Sequence, residues 1–286
     1  MIDFKEFIKL RDFLYRKTGI YIEDKRYELF SKKLDTYFFE HDFDNFRDFF
    51  HTLRFGVNHL IFQDLINFIT INETYFFREK NHFEVLIESV LPKIIALKKE
   101  NETIRILCAP SSTGEEPYSI ALSLLDEKYM LANHDIELVG IDINNEVIRK
   151  ASEGIFNKRS IQFVPNHLLN TYFSYEDEHF CINPTLKNAI NFRVANVMDK
   201  IQMNQLGKFD IIFSRNMLIY FDDESRREVG ITFYDLLKPN GFIFLGHADK
   251  MSKISSFFTN LNSSISCTIT VFNTGKYFIS IIISKI

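Results

Sequence analysis

The sequence of 286 residues contains no tryptophan and only three cysteines, Cys108, Cys181 and Cys267. These cysteines are too widely spaced for a metal cluster or a disulfide framework, so we predict no metal site and expect reduced thiols in a cytoplasmic protein. The longest apolar run lies near Ile281 to Ile283 and is far shorter than the roughly 20 residues of a membrane-spanning helix. The charge from Asp3 onward argues against a secretory signal, and we expect no direct insertion into a membrane.

Two motifs for binding phosphate groups are also absent. The chain has neither the G-x-G-x-x-G of dinucleotide-binding loops nor the G-x-x-x-x-G-K-[ST] of phosphate-cradling loops. Its net charge of -4 gives no reason to expect a nucleic-acid-binding protein. With 46% hydrophobic and 25% charged residues, the composition is typical of a soluble globular protein, and the length favours two domains.

A buried strand, a tight loop and the start of a helix are predicted between Thr103 and Ser119. Gly114 lets the chain pass close to a ligand, and Glu115 and Glu116 fall in the first helical turn, where carboxylates interact favourably with the helix dipole. In an open α/β sheet such a loop forms the floor of the ligand crevice. Two carboxylates there would repel phosphate and suit a cationic ligand such as S-adenosylmethionine. A plain connection is the alternative.

Polar residues follow three further predicted strands, Ile136 to Ile143, Ile190 to Val194 and Phe209 to Ser214. Asp142 ends the first of them, where an acidic side chain can bind both hydroxyls of a ribose. The other two strands lead to further polar and apolar candidates: Asn196, Val197, Arg215, Asn216 and Tyr220. The pattern of strands and helices therefore predicts an α/β fold with a ligand site at one edge of the sheet.

The N-terminal region, residues 1–71, has apolar residues at helical spacing and predicts a small all-helical domain. We expect Gly19 to end its first long helix and Asp24 to cap the next one. Basic residues seven positions apart lie on the same face of this second helix: Lys25, Arg26, Lys32 and Lys33. Such a face is either an ordinary solvated surface or a docking site for an acidic partner.

Three segments resemble the CheR family of chemotaxis receptor glutamate methyltransferases: N-E-T-Y-F-F-R-E at 72–79, S-T-G-E-E-P-Y-S-I-A at 112–121 and F-S-R-N-M-L-I-Y-F-D at 213–222. The L-G-H at 245–247 is also similar, and the resemblance runs from about residue 5 to about residue 250. It implies a Rossmann-like, class I S-adenosylmethionine-dependent methyltransferase sheet at 72–286, preceded by the helical domain at 1–71. A short antiparallel β-subdomain is expected within about 163–191.

The resemblance also implies a reaction. In it a methyl group passes from S-adenosylmethionine to glutamate side chains of methyl-accepting chemotaxis receptors, and S-adenosylhomocysteine is released. Glutamate is ionised at neutral pH, so its attack on the methyl group needs no general base. The cytoplasmic domains of the receptors are the expected partners of a monomeric enzyme. In the family the N-terminal helices contact substrate, which favours a docking role for the four basic residues.

Family positions that contact the cofactor correspond here to nine residues: Asn72, Thr74, Arg78, Glu116, Asp142, Asn196, Val197, Arg215 and Asn216. Arg78 and Tyr220 match the family residues beside the transferred methyl group, and we predict that they are catalytic. Arg78 would place the reactants electrostatically, and the hydroxyl of Tyr220 would bind the incoming carboxylate. The chain departs from the family at Asn144, which replaces a second acid, and at Ala248-Asp249, which replaces Ser-Glu.

Family members that are tethered to a receptor tail add the tail as a strand to a β-subdomain with a glycine-containing turn. The segment from Tyr172 to Phe192 is short and has no glycine, so we predict independence of a tether. A final hairpin near Asn273-Thr274-Gly275 is expected to complete the sheet with one antiparallel strand. A non-catalytic S-adenosylmethionine-sensing receptor adaptor is the alternative. A nucleic-acid base methyltransferase would carry an N/D-P-P-Y-like motif where this chain has S-R-N.

Overall fold

The computed structural model describes residues 2–56, 60–127, 131, 133–247 and 249, together with the backbone of three strands at 260–262, 268–271 and 277–280. Four described helices come first: α1, Phe4–Thr18; α2, Tyr27–Glu40; α3, Phe46–Phe55; and α4, Leu60–Ile69. Their apolar faces enclose one core, in which Phe7, Tyr37 and Phe49 are almost completely buried. Packing of the helices on one another thus accounts for the helical spacing of apolar residues.

The connection between α1 and α2 is only partly as predicted. Gly19 ends α1 in the left-handed conformation, with φ of 72°, as expected. The predicted cap at Asp24 is wrong, because this residue begins a 3₁₀ turn, Asp24–Arg26, whose first carbonyl accepts the N–H of Tyr27. The turn satisfies an N–H group that a capping side chain would otherwise bind, and the Asp24 carboxylate pairs with Arg11 instead.

The described part of the chain contains these strands: β1, Ile104–Cys108; β2, Ile136–Asp142; β3, Ile155–Phe156; β4, Phe173–Glu176; β5, His179–Ile182; β6, Ile190–Val194; β7, Phe209–Ser214; β8, Leu237–Leu245; β9, Asn260–Asn262; β10, Thr268–Val271; and β11, Tyr277–Ser280. Eight of them form the main sheet in the order β6-β2-β1-β7-β8-β11-β10-β9. Neighbours from β6 to β11 are parallel, which confirms the predicted α/β fold.

At the far edge of the main sheet, β10 is the one described strand that runs opposite to the others, in agreement with the expected single antiparallel strand. β11 pairs with β8 in parallel, and β10 pairs antiparallel with both β11 and β9. The antiparallel strand therefore lies between β11 and β9. The predicted turn at 273–275 lies outside the described residues, as does the isoleucine-rich stretch at 281–283.

Helices cover both faces of the sheet: α5, Asn81–Val85; α6, Leu91–Leu97; α7, Glu115–Asp126; α8, Asn145–Glu153; α9, Asn166–Tyr172; α10, Pro184–Asn188; α11, Lys200–Gln205; and α12, Asp223–Leu236. Neighbouring residues of β1 belong to different hydrophobic cores. Ile106 lies in the core that contains Phe83 and Tyr118, whereas Leu107 lies in the core that contains Phe233. A π-helical turn, Leu86–Val90, separates α5 from α6, and Pro92 lies in the first turn of α6.

The antiparallel excursion is present as a three-stranded sheet in the order β3-β5-β4. Its first strand, at 155–156, comes before the range of 163–191 that we expected. Asp177 and Glu178 connect β4 to β5, and both have positive φ, 47° and 64°. Such a turn usually contains glycine or asparagine, so the sequence carried no strong signal for it.

No described helix combines the length and the apolar character needed to cross a membrane. In the same part of the chain, no group of three or more histidine, cysteine, aspartate or glutamate side chains is arranged to hold a metal ion.

Candidate functional site

A cavity of about 410 Å³ lies at the carboxyl ends of the parallel strands. Its walls come from the loops that follow β1, β2, β6 and β7, from the linker at 69–78, and from the N-terminal helical region. All nine predicted cofactor residues line it: Asn72, Thr74, Arg78, Glu116, Asp142, Asn196, Val197, Arg215 and Asn216. Tyr220 lines it too. Of the four basic residues predicted for docking, Arg26 and Lys33 line the cavity whereas Lys25 and Lys32 do not.

The loop between β1 and α7 forms one wall. Gly114 has φ of 97°, and a Cβ atom there would lie 3.0 Å from atoms of both Tyr118 and Ala151, so only glycine fits without strain. The hydroxyl groups of Ser111 and Ser112 are buried and have no hydrogen-bond partner in the described part of the chain. These two residues line the cavity, so their hydroxyl groups are suited to binding a polar ligand.

Asp142 is held at the end of β2 by backbone groups. Its two carboxylate oxygens accept 3.0 Å hydrogen bonds from the N–H groups of Ser112 and Asn144. Burial raises its pKa to about 6. Asn144 caps α8 by accepting the N–H of Val147, and its amide donates a 2.8 Å hydrogen bond to the hydroxyl of Thr70 in the linker. An acid at position 144 could cap the helix but, when ionised, could not donate to Thr70.

Glu116 occupies the opposite part of the wall and is bound to Arg215. Its Oε2 lies 2.6 Å from Nη1 of Arg215, whose Nη2 donates to the carbonyl oxygen of Arg78. The other carboxylate oxygen, Oε1, is buried and has no hydrogen-bond partner among the described residues. Burial raises the pKa of Glu116, and the charge of Arg215 opposes this effect. The free Oε1 atom is therefore suited to a cationic or hydrogen-bond-donating group of a ligand.

The wall beyond β6 is joined to the N-terminal helices. The side-chain amide of Asn196 donates a 2.7 Å hydrogen bond to the carbonyl oxygen of Lys17, at the end of α1, and its Oδ1 accepts the N–H of Met198. Val197 is buried beside it. Part of the polar capacity of Asn196 thus holds α1 in place, a contact that sequence reasoning did not anticipate. Its predicted contact with adenine stays a prediction.

Arg78 and Tyr220, the predicted catalytic pair, face the same cavity. Nη1 of Arg78 donates a 2.8 Å hydrogen bond to the carbonyl oxygen of Glu73, and its guanidinium has no ion pair within the described residues. Its charge acts on the carboxylate of Glu116 from a distance, but no carboxylate in the described part of the chain forms an ion pair with it. Tyr220 ends a 3₁₀ turn, Leu218–Tyr220. Burial raises its pKa, and the charges of Arg26 and Arg78 oppose this, which indicates that both cations lie near the phenol.

Two acids near the cavity were missed by sequence reasoning. Asp249 is buried, and its Oδ2 accepts the N–H groups of Asn216 and Gly246. It thereby supports Asn216 in a left-handed conformation with φ of 58°, and burial raises the pKa of Asp249 to about 6. Glu79 lies beside Arg215, with its Oε2 3.4 Å from Nη2. Neither contact leaves a signal in sequence spacing, because the partners are far apart in the chain. Ala248 lies outside the described residues.

The arrangement fits S-adenosylmethionine. An unpartnered carboxylate oxygen at Glu116 suits its ammonium group, and Asp142, at a strand end, suits its ribose. Buried serine hydroxyl groups lie on the same wall, and apolar side chains such as Val197 can pack on its adenine ring. The described residues therefore supply chemically matched groups for the ammonium group, the ribose and the adenine ring of this cofactor.

Comparisons with known proteins agree with this geometry. Residues 72–267 match the family model described as CheR methyltransferase, SAM binding domain. Chemotaxis protein methyltransferase 2 of Vibrio cholerae is 41% identical over 254 residues, which are 88% of each chain. The chemotaxis protein methyltransferase of Borreliella burgdorferi is 34% identical over 85% of this chain and 87% of its own. The chemotaxis protein methyltransferase of Salmonella typhimurium is 31% identical over 87% of this chain and 84% of its own. The chain belongs to the CheR family of S-adenosylmethionine-dependent methyltransferases.

Proposed function

We propose that the protein methylates glutamate side chains in the cytoplasmic domains of chemotaxis receptors and so takes part in sensory adaptation. The observation that carries this proposal is the position of Arg78 and Tyr220. Both line the cofactor cavity, where Arg78 has no carboxylate partner among the described residues. A guanidinium in this state attracts an anionic substrate such as the glutamate carboxylate.

The bound cofactor supplies a methyl group on a positively charged sulfur. Glu116 binds its ammonium group through the free Oε1 atom, and Asp142 accepts hydrogen bonds from its ribose. Asn72, Thr74, Arg215 and Asn216 complete the pocket, and Asn196 and Val197 flank the adenine ring. These residues would hold the cofactor in one orientation, and alignment of an incoming carboxylate with its methyl group could lower the barrier by roughly 7–11 kcal/mol.

Arg78 and Tyr220 act on the incoming carboxylate. Arg78 draws one carboxylate oxygen towards the methyl group, and the hydroxyl of Tyr220 donates a hydrogen bond that fixes its orientation. No proton has to be removed, since the carboxylate is already the nucleophile. The reaction joins an anion to a cation, so exclusion of water from the cavity favours the transition state.

The N-terminal unit, residues 1–71, serves as the receptor-contacting domain, and residues 72–286 form the methyltransferase domain. Arg26, in the 3₁₀ turn before α2, and Lys33, in α2, both line the cavity, and the charge of Arg26 acts on the phenol of Tyr220. Exposed apolar side chains, Tyr21 and Leu29, accompany them on the cavity wall. A basic surface with apolar contacts suits an amphipathic, acidic receptor helix. The protein acts as a cytoplasmic monomer that needs no receptor tail. Micromolar binding of a receptor-tail peptide would contradict this last point.

The deciding experiment is transfer of radiolabelled methyl groups from S-adenosylmethionine to receptor cytoplasmic fragments, followed by alkaline hydrolysis. Release of the label as methanol identifies a carboxyl methyl ester and supports the proposal. A Tyr220→Phe variant serves as the matched control, because it should bind cofactor but transfer little label. If the wild-type protein binds cofactor and labels no receptor fragment, the alternative of a non-catalytic receptor adaptor replaces the proposal.

A further inference from the structure

A buried cluster of charged side chains lies behind the wall of the cavity, and Arg215 is at its centre. This guanidinium is 2% exposed and is shared by two carboxylates, Glu116 at 2.6 Å and Glu79 at 3.4 Å. Glu116 lines the cavity, whereas Glu79 approaches Arg215 from behind it. His82 is completely buried, and its Nδ1 lies 3.2 Å from Oε2 of Glu79.

The charge of this cluster depends on Glu79. Burial lowers the pKa of His82 well below its ordinary value, and the nearby charge of Arg215 lowers it further, so the imidazole is neutral at neutral pH. Two carboxylates therefore surround the guanidinium of Arg215, and the charge of Arg78 also acts on Glu116. Without Glu79, one carboxylate would face two guanidinium groups, and the excess positive charge would disfavour a further cation. Glu79 supplies the negative charge that offsets this excess.

The geometry of Arg215 explains why Glu116 keeps one oxygen free. A guanidinium facing a single carboxylate tends to form two parallel hydrogen bonds and so occupies both oxygens. Here only Nη1 binds Glu116, through Oε2, because Nη2 is directed to the carbonyl oxygen of Arg78 and lies near Glu79. Oε1 of Glu116 is consequently left without a partner among the described residues.

We propose that Glu79 is a positioning residue for cofactor binding: it holds Arg215 away from a two-point contact with Glu116 and thereby keeps Oε1 of Glu116 available to the ammonium group of S-adenosylmethionine. His82 lies beside Glu79 in the protein interior without a hydrogen bond to it, and its ring packs edge-on against Phe244 at 5.9 Å. The same guanidinium binds the backbone of Arg78, so Glu79 also steadies the segment that carries the proposed catalytic cation. The inference rests on the proposed placement of the cofactor's amino-acid end at Glu116.

The test compares two ligands that differ at that end. S-adenosylhomocysteine carries the amino-acid group, whereas 5′-methylthioadenosine keeps the adenosine and the sulfur but lacks it. Binding of each to the full chain is measured by isothermal titration calorimetry for the wild type and for Glu79→Gln. We expect the substitution to lower the affinity for S-adenosylhomocysteine by about tenfold, which is the effect of one charge-assisted hydrogen bond. The affinity for 5′-methylthioadenosine should change by less than about twofold.

Two further variants control the comparison. Glu84→Gln changes a nearby residue of the same type, but Glu84 lies in α5, is exposed and pairs with Lys80, so both affinities should stay at the wild-type level. Glu79→Asp keeps the charge but shortens its reach, and we expect a selective loss of about threefold for S-adenosylhomocysteine, less than that of Glu79→Gln. If Glu79→Gln does not unfold in a cooperative thermal transition, Glu79→Asp is used for the test in its place.

The possible outcomes distinguish the role of Glu79 from the placement of the cofactor's amino-acid end at Glu116. If the Glu79 variants lose equal affinity for both ligands, or lose affinity for neither, the positioning role of Glu79 is overturned. A Glu116→Gln variant tests the placement itself. If it binds S-adenosylhomocysteine as tightly as the wild type, the amino-acid end lies elsewhere and both ideas fail. If it loses this ligand while the Glu79 variants bind normally, only the role of Glu79 is overturned.

Discussion

The backbone N–H of Tyr21 donates a 2.9 Å hydrogen bond to the carbonyl oxygen of Tyr220. An isolated antiparallel bridge joins the adjacent residues, Ile20 and Phe221. The hydroxyl of Tyr15, on α1, donates a 2.9 Å hydrogen bond to Asp222, which caps α12. The end of the first helix and the turn that carries the proposed catalytic tyrosine are therefore held together along their length, so the position of Tyr220 depends on the N-terminal helices.

Removal of the Tyr15 hydroxyl tests this connection. We expect Tyr15→Phe to lower the free energy of unfolding by about 1 kcal/mol, the net contribution of one hydrogen bond, and to reduce turnover on receptor fragments. Urea denaturation and the methyl-transfer assay measure the two effects. Tyr175→Phe is the matched control, because Tyr175 is 65% exposed on β4. Turnover equal to that of the wild type would show that the hydroxyl does not position Tyr220.

The four basic residues in α2 and in the 3₁₀ turn before it give a second prediction with an internal control. Arg26 and Lys33 line the cavity, whereas Lys25 and Lys32 do not, and Lys25 pairs with Glu23. The double variant Arg26→Ala/Lys33→Ala should raise the KM for receptor fragments by about tenfold at low salt, and this effect should shrink as salt screens the attraction. The double variant Lys25→Ala/Lys32→Ala removes the same charge and should change KM by less than about twofold. Equal effects would indicate general attraction rather than docking.

The sequence allowed much of the fold and of the cavity to be predicted, for a physical reason. Parallel strands bring their carboxyl ends to one edge, so a polar residue after each apolar run belongs to the same site. Asp142, Asn196 and Arg215 come from three such strands, and all of them line the cavity. Residues that come together in this way can be predicted without knowledge of side-chain packing.

Contacts that depend on packing could not be predicted. Helical periodicity places Lys25 with Lys32 and Arg26 with Lys33, but it does not say which pair faces the cavity. Glu79 meets Arg215, and Asp249 meets Asn216, only after the chain has folded. The cap predicted at Asp24 failed because local rules take no account of a 3₁₀ turn that binds the same N–H group. Sequence thus predicted the residues at strand ends better than the residues that support them.

The proposed hydrogen bond from Tyr220 to the substrate carboxylate predicts a selective loss of turnover. Tyr220→Phe keeps the ring, and with it the packing of the 3₁₀ turn, but removes the hydroxyl. We expect turnover to fall by more than about tenfold while the affinity for S-adenosylhomocysteine stays the same, because the lost interaction is made with substrate. Steady-state methyl transfer and calorimetry supply the two measurements. A loss of less than tenfold would remove Tyr220 from the catalytic residues.

The pKa of Asp142 predicts how cofactor binding depends on pH. Burial raises this pKa from 3.8 to about 6, so ionisation is harder in the folded, ligand-free protein than in the unfolded chain. The free-energy cost of ionising buried Asp142, relative to the unfolded chain, is absent below pH 4, grows as the pH rises to about 6, and is complete above that value. Ribose hydroxyl groups donate to the ionised form, so binding draws Asp142 towards ionisation and releases a proton at pH 6.

Affinity for S-adenosylhomocysteine should therefore fall as the pH is lowered from 7.5 to 5.5. Asp249 titrates in the same range, since burial raises its pKa to about 6 as well, so the wild-type profile alone does not assign the effect. Asp142→Asn should bind more weakly at pH 7.5 and lose most of the pH dependence, whereas Asp249→Asn should retain it. Calorimetry at four pH values distinguishes them. A steep profile that persists in Asp142→Asn would place the titrating group elsewhere, because an asparagine at this position binds no proton in that range.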